Sequence, residues 1–126
     1  MSAKPYLKIS LFIKKLPQIS AEQFRAHWKG QHVDIAKANK TFMKNVRKYN
    51  QVHILPELKE LARAFGQPTI DADGVAEVWV DNLDAWKEIA SDEEFITKIL
   101  PDEKLFLQHP IAIMLSQDHL VISEKD

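Results

Sequence analysis

The apolar residues of the chain follow two different spacings, and these spacings predict the order of strands and helices. Residues 6–14 alternate strictly between apolar and mostly polar positions, which is typical of a β-strand with one buried face. The apolar side chains on that face are Leu7, Ile9, Leu11 and Ile13. Further strands are predicted at 45–55, 75–80 and 111–123. Helices are predicted at 20–39, 56–66 and 81–90, with a shorter helical piece that starts near Ser91 and ends at Pro101.

This order of elements predicts an α+β fold. Four strands separated by two main helices match the ferredoxin-like split βαβ arrangement, in which helices cover one face of a four-stranded antiparallel sheet. The other face of the first strand carries Phe12 among polar residues. A second copy of the same sheet would cover that face, so we expect a homodimer.

Composition and charge narrow the class of protein. The 126 residues suffice for a single domain, and a net charge of −1 argues against nucleic-acid binding, which needs a strongly basic face. The chain has no apolar run long enough to span a membrane and no secretory signal, so we expect a cytoplasmic protein with no membrane partner. It has no cysteine and only three glycines, which excludes thiolate chemistry and disfavours a glycine-rich phosphate loop.

The first predicted helix carries the strongest candidate for chemistry. Phe24, Trp28, His32 and Ile35 fall within a quarter of the helix circumference, so His32 is expected to point toward the sheet. It is either a buried neutral histidine with a hydrogen-bond partner or an acid–base residue in a cavity. His27 lies five residues earlier and should diverge from His32 by about 140°. We therefore expect neither a metal site nor a cofactor.

A second group of polar residues lies on the second predicted strand. Arg47, Tyr49, Gln51 and His53 alternate onto one face, which fits a polar cavity wall, a dimer interface or an exposed edge. Tyr49 and His53 are roughly 13 Å apart along the strand and could bracket a ring-sized ligand. The acidic stretches DEEF and PDEKLF are interpreted as helix caps and exposed positions.

Several stretches of the chain resemble the EthD-domain family of the dimeric α+β barrel superfamily. They are SAEQFRAHWKGQHVDIAK, YNQVH, DGVAEVWVDNLDAW, and DEEF followed by PDEKLF, within about residues 5–122 of a single domain 1–126. The resemblance is greatest to fungal polyketide-tailoring enzymes, which include decarboxylases of anthrone-type acids such as atrochrysone carboxylic acid. The family histidine falls on His32, and the strand tyrosine and histidine fall on Tyr49 and His53. Many relatives have an aspartate two residues after Phe106, where this chain has Gln108.

The resemblance implies a cofactor-independent lyase on an aromatic polyketide, most directly a decarboxylase. The candidate catalytic residues are His32, His53 and Tyr49, and the candidate substrate-binding residues are Trp28, Phe24, Gln51, Trp79 and His109. Which histidine is the acid and which the base stays open. A dehydratase or cyclase, a cofactor-free oxygenase and a non-catalytic dimeric binding protein are alternatives. The basic segment from Lys37 to Lys48 is expected to attract an anionic substrate.

Overall fold

The computed structural model describes residues 5–126 and contains a four-stranded antiparallel sheet. The first four residues of the predicted domain lie outside this range. The strands are β1 (Leu7–Ile13), β2 (Val46–His53), β3 (Gly74–Val80) and β4 (Ala112–Ser116). The α-helices are α1 (Ala21–His27), α2 (Val33–Ala38), α3 (Lys40–Asn45), α4 (Pro56–Ala64), α5 (Leu83–Ala90) and α6 (Leu100–Lys104). Two π-helical segments are π1 (Trp28–His32) and π2 (Phe95–Ile99).

The strands are arranged in the order β2-β3-β1-β4, and all neighbouring pairs are antiparallel. The two central strands, β1 and β3, are those that precede the two helical regions in the chain. This topology confirms the predicted ferredoxin-like arrangement with a four-stranded antiparallel sheet.

Two of the predicted helix starts, those of α1 and α5, are formed by side-chain caps. Ser20 and Gln23 make a capping box, in which the Gln23 amide donates to Ser20 Oγ at 3.0 Å and the Ser20 amide donates to Gln23 Oε1 at 2.8 Å. Asn82 caps α5 by accepting from the Ala85 amide at 3.0 Å. These local bonds satisfy amides that have no partner within the first helical turn.

The two faces of the sheet differ in composition, as the alternation of β1 predicts. The helix-side face, which contacts the helices, carries Ile9, Ile13, Val78 and Val80, each no more than 3% exposed. The outer face carries Lys8, Glu77 and Trp79 among other residues, in register across β1 and β3. Burial of the apolar side chains on the helix-side face stabilises the fold by about 1.5–3 kcal/mol per residue relative to exposure.

Two of the predicted boundaries are wrong. The last strand ends at Ser116 rather than at Ser123. Ser116 pairs with Lys8, the second residue of β1, so β1 has only Leu7 left beyond that pair. Pro101 does not end the helical region but lies in the first turn of α6, directly after π2. The predicted helix 20–39 is interrupted by π1, and a separate helix α3 follows it.

Candidate active site

A cavity of about 150 Å³ lies between the helix-side face of the sheet and the helices, and it is open to solvent on one side. Most of its wall is aromatic or aliphatic, with contributions from Trp28, Phe42, Trp86, Phe95 and Val78. The titratable side chains on the wall are His32, Tyr49 and Glu103. A cavity of this size holds about one aromatic ring.

His32 is held in place by a buried carboxylate. Its Nδ1 lies 2.8 Å from Oδ2 of Asp102, whose side chain is 3% exposed. Because an ionised carboxylate only accepts hydrogen bonds, Nδ1 carries the proton and Nε2 is the ring nitrogen left for a molecule in the cavity. His32 therefore lies on the cavity wall in an orientation suited to proton transfer.

Asp102 also contacts two residues that the sequence did not associate with it. His27 Nε2 lies 3.0 and 3.1 Å from the two carboxylate oxygens, and the Gln31 amide donates to Oδ1 at 2.7 Å. Burial pushes the pKa of Asp102 upward, but the hydrogen bonds from His32, Gln31 and His27 outweigh it and hold the pKa below its ordinary value. Asp102 is thus a charged acceptor for three side chains of one helix.

The approach of His27 and His32 to one carboxylate corrects the predicted divergence of about 140°. That angle holds for an α-helix, whereas residues 28–32 form a π-helical segment. A π-helix has i→i+5 hydrogen bonds, so residues five apart lie on the same side. The extra residue also shifts the buried side of the next helix from the predicted Ile35 to Ala36, which is 5% exposed.

The interpretation of PDEKLF as caps and exposed positions is wrong for its two acids. Asp102 is 3% and Glu103 is 9% exposed, and Glu103 lines the cavity. A signal for this was present in the spacing, since Ile99, Glu103 and Leu107 follow one another at intervals of four, as on a buried helix stripe. Burial raises the pKa of Glu103, the charge of Asp102 adds to this, and His32 and His109 act in the opposite direction.

Tyr49 lies on the cavity wall and is positioned by its neighbours on β2. Gln51 Nε2 donates to Tyr49 Oη at 3.0 Å and to the backbone carbonyl of Trp28 at 3.0 Å. The Tyr49 oxygen already accepts a bond, so its own O–H can donate to a molecule in the cavity. Burial raises the pKa of Tyr49, although hydrogen bonds from Gln51 and Trp28 lower it, and the phenol remains a proton carrier at neutral pH.

His53 lies behind Trp28 and does not line the cavity. Its ring is 4.5 Å from the Trp28 ring, and its Nε2 donates to Gln51 Oε1 at 2.9 Å. Burial lowers the pKa of His53, with the charges of Lys29 and Arg25 acting in the same direction. The predicted ring-sized space between Tyr49 and His53 is therefore filled by Gln51, which hydrogen-bonds to both side chains.

The remaining predicted site residues lie at different distances from the cavity. Phe24 is 1% exposed and packs behind Trp28, with ring centroids 5.6 Å apart. His109 lies beside the cavity, with its Nε2 3.4 Å from Glu103 Oε1. Trp79 points to the outer face, where its indole N–H donates to Asp118 at 2.7 Å, so it is not a wall of this cavity. Gln108 donates to the Lys15 carbonyl at 2.8 Å.

Three of the five cations in the basic segment have partners among the described residues. Lys44 pairs with Glu88 at 2.9 Å, and Arg47 pairs with Asp81 at 2.9 Å. Lys48 lies over the Trp79 ring on the outer face. The expected attraction of an anionic substrate by this segment is thus reduced by its acidic partners.

The described part of the chain was searched for a metal site and for a membrane-spanning helix. Within residues 5–126, no three His, Asp or Glu side chains converge closely enough to hold a metal ion. No helix of that range is both long and apolar enough to cross a membrane.

The structure is that of a ferredoxin-like protein with titratable side chains on the wall of an apolar cavity, and comparison with known proteins identifies its family. The model of the EthD domain matches residues 16–110, so the chain belongs to the EthD family. No curated protein was found to match the sequence.

Solved structures share the fold at low sequence identity. A dimeric ferredoxin-like protein of unknown function from Bacteroides fragilis is 14% identical, with a TM-score of 0.60, and 94% of this chain and 100% of that chain are covered. An EthD family protein from Bacillus halodurans is 12% identical, with a TM-score of 0.61 and coverage of 90% and 99%. A hydroxynitrile lyase from Passiflora edulis is 11% identical, with a TM-score of 0.57 and coverage of 96% and 100%. At this identity the likeness shows the fold.

Proposed function

We propose that the protein is a cofactor-independent lyase that removes CO2 from a carboxylated aromatic polyketide of the anthrone type. The observation that carries the proposal is the His32–Asp102 pair, which presents Nε2 of an oriented histidine to an aromatic cavity. A positioned histidine contributes about 10²- to 10⁴-fold by general acid–base catalysis. The hydroxynitrile lyase from Passiflora edulis has the same fold, which supports lyase chemistry on this scaffold.

The proposed reaction uses only groups on the cavity wall. In a β-keto acid, the bond between the carboxylate carbon and the adjacent ring carbon breaks and CO2 leaves. The electron pair left behind forms an enolate, whose oxygen accepts a hydrogen bond from Tyr49. Protonated His32 then delivers the Nε2 proton to the ring carbon and regains a proton from water. Asp102 stabilises the charged imidazole before that transfer.

The cavity also limits how the substrate binds. Its volume of about 150 Å³ holds the reacting ring, and the other fused rings of an anthrone would extend through the open side. Trp28, Phe42 and Phe95 supply flat apolar surface for the reacting ring.

Location and assembly form a separate part of the proposal. We place the protein in the cytoplasm. We also expect a homodimer in which the outer faces of two sheets pack together as a dimeric α+β barrel.

A product assay tests the reaction. Purified protein is incubated with anthrone-type β-keto acids, and the products are compared by mass with a reaction without protein. A product lighter by CO2, formed faster than without protein, is expected. Loss of water with the carboxylate retained would identify a dehydratase or cyclase, and oxygen uptake would identify an oxygenase. Tight binding without any product would identify a binding protein.

A further inference from the structure

Asp102 and Glu103 are adjacent buried carboxyl groups in opposite environments. Asp102 receives hydrogen bonds from three side chains, among them His32 at 2.8 Å and Gln31 at 2.7 Å. Glu103 is 9% exposed, and among residues 5–126 its side chain has one weak polar contact, with His109 at 3.4 Å. One group is therefore stabilised as an anion, while the other lacks the donors that an anion needs.

The position of Glu103 differs from that of Asp102 in a second respect. Glu103 lines the cavity itself, together with His32 and Tyr49, whereas Asp102 lies behind His32. A carboxyl group on an apolar wall that carries its proton is a hydrogen-bond donor to whatever occupies the cavity. Nothing in the sequence comparison assigned a role to this residue.

We propose that Glu103 is a second catalytic acid of the cavity, which donates a proton to a carbonyl oxygen of the substrate. The proposal rests on the proposed function and adds to it the group that protonates the ketone oxygen of the β-keto acid. Two neighbouring carboxyl groups in environments that separate their proton affinities are a recurrent arrangement for acid and base roles.

With Glu103 included, the reaction proceeds through an enol rather than an enolate. As CO2 leaves, the electron pair of the broken bond forms a C=C bond, and the ketone oxygen takes the proton of Glu103. The ring carbon then takes a proton from His32 Nε2, while the enol O–H returns its proton to the Glu103 carboxylate. His32 regains its proton from water, so each turnover consumes one substrate carboxylate and one proton.

The groups that face Glu103 act on its proton affinity in both directions, and burial raises its pKa. The titratable groups that face it are His32 from π1, His109 from the loop before β4, Tyr49 from β2 and its neighbour Asp102. Burial and the Asp102 charge raise the pKa of Glu103 against the effect of the two histidines. A substrate carboxylate in the cavity adds a like charge and acts in the same direction.

The test combines a titration with turnover. Carboxyl-labelled glutamate is followed by ¹³C NMR across pH in the wild type and in Glu103→Gln, with exposed Glu93→Gln as the matched control. The wild type should show one glutamate signal that titrates above the ordinary range, and only Glu103→Gln should lose it. Glutamine mimics the neutral acid in shape and charge, so this variant should fold; the wild-type titration itself requires no variant.

The turnover measurement separates the role of Glu103 from the proposed function. Glu103→Gln should lower kcat by about 10²- to 10⁴-fold, whereas Glu93→Gln should leave kcat unchanged. Wild-type kcat retained in Glu103→Gln, or a Glu103 signal that titrates in the ordinary range, would overturn the role of Glu103 and leave decarboxylation standing. A wild type inactive on every acid tested, with the high titration present, would overturn the reaction alone.

Discussion

The two faces of the sheet hold charged residues in different ways. On the outer face, Lys8 lies 3.0 Å from Glu77 and 3.2 Å from Asp118, and Asp118 also accepts from the Trp79 indole. On the helix side, Asp102 is surrounded by donors, and its neighbour Glu103 has no lysine or arginine partner among the described residues.

The difference between the faces indicates which charges can react. The outer-face charges neutralise one another and tie the segment after β4 to the sheet. The helix-side groups lie against a cavity and differ in proton affinity, so they retain the capacity to exchange protons with a bound molecule. The helix-side face is therefore the candidate for chemistry, and the outer face is the candidate for contact with a second copy.

The largest effect is expected from a comparison of variants at His32 and His27, the two histidines that contact Asp102. His32→Gln should lower kcat by about 10²- to 10⁴-fold, because it removes the nitrogen that faces the cavity. His27→Gln removes a similar contact with Asp102 but leaves the cavity wall intact, and it should retain most of the activity. Steady-state kinetics with circular dichroism as a folding check makes the comparison. Equal losses in the two variants would indicate a structural role for His32.

The next prediction concerns the outer face. Light scattering at micromolar concentration should give about twice the chain mass of 14.5 kDa. Phe12→Asp places a charge on the outer face and should yield monomers, since an unpaired charge at an interface is costly. Phe65→Asp, at a residue that is 83% exposed at the end of α4, is the matched control and should leave the mass unchanged. A wild-type mass near 14.5 kDa would contradict the dimer.

A third prediction uses the charge of the buried acid. Asp102→Asn should reduce the free energy of unfolding at neutral pH by about 1.5–3 kcal/mol, because hydrogen bonds to a charged acceptor are lost. The pKa of Asp102 is lowered in the fold, so its stabilisation is present above the unfolded value of 3.8 and disappears as pH falls through the folded value. The difference between variant and wild type should therefore shrink in acid.

Exposed Asp34→Asn is the control for this measurement, because Asp34 lies on the solvent side of α2. Urea unfolding at several pH values should show a pH-independent, near-zero effect for it. If Asp102→Asn behaves in the same way, the carboxylate is not charged in the fold.

The smallest effect tests the packing that supports Trp28. A Cβ atom at Gly74 would lie 2.5 Å from Trp28 Cζ3, and Trp28 is 2% exposed, so the ring has little room to move. Gly74→Ala should lower the free energy of unfolding by about 1–3 kcal/mol. Gly30→Ala meets nothing within 4 Å and should instead raise stability by up to about 1 kcal/mol. Thermal unfolding of both variants gives the comparison.

Part of the candidate site could be predicted from local spacing. Trp28 and His32 are four apart on one helix, and Tyr49 follows from alternation on a strand, so local geometry suffices to point them toward the sheet. Trp79 also follows the alternation of β3, but alternation does not say which face is inside, and the residue lies on the outer face. The predicted role of His53 changed because Gln51 occupies the space between it and Tyr49.

What the sequence by itself determined is the set of elements, the ferredoxin-like topology and the inward direction of His32, because these depend on residues close together in the chain. Only the tertiary structure decided what His32 meets. Asp102 lies 70 residues further along the chain, and it reaches His32 because π2 packs against α2 and α6 directly follows π2. The π-helical turn that brings His27 to the same carboxylate depends on backbone hydrogen bonding that apolar spacing does not reveal. These contacts also set the pKa of each carboxyl group. Hydrogen bonds outweigh burial and lower the pKa of Asp102, whereas burial raises the pKa of Glu103.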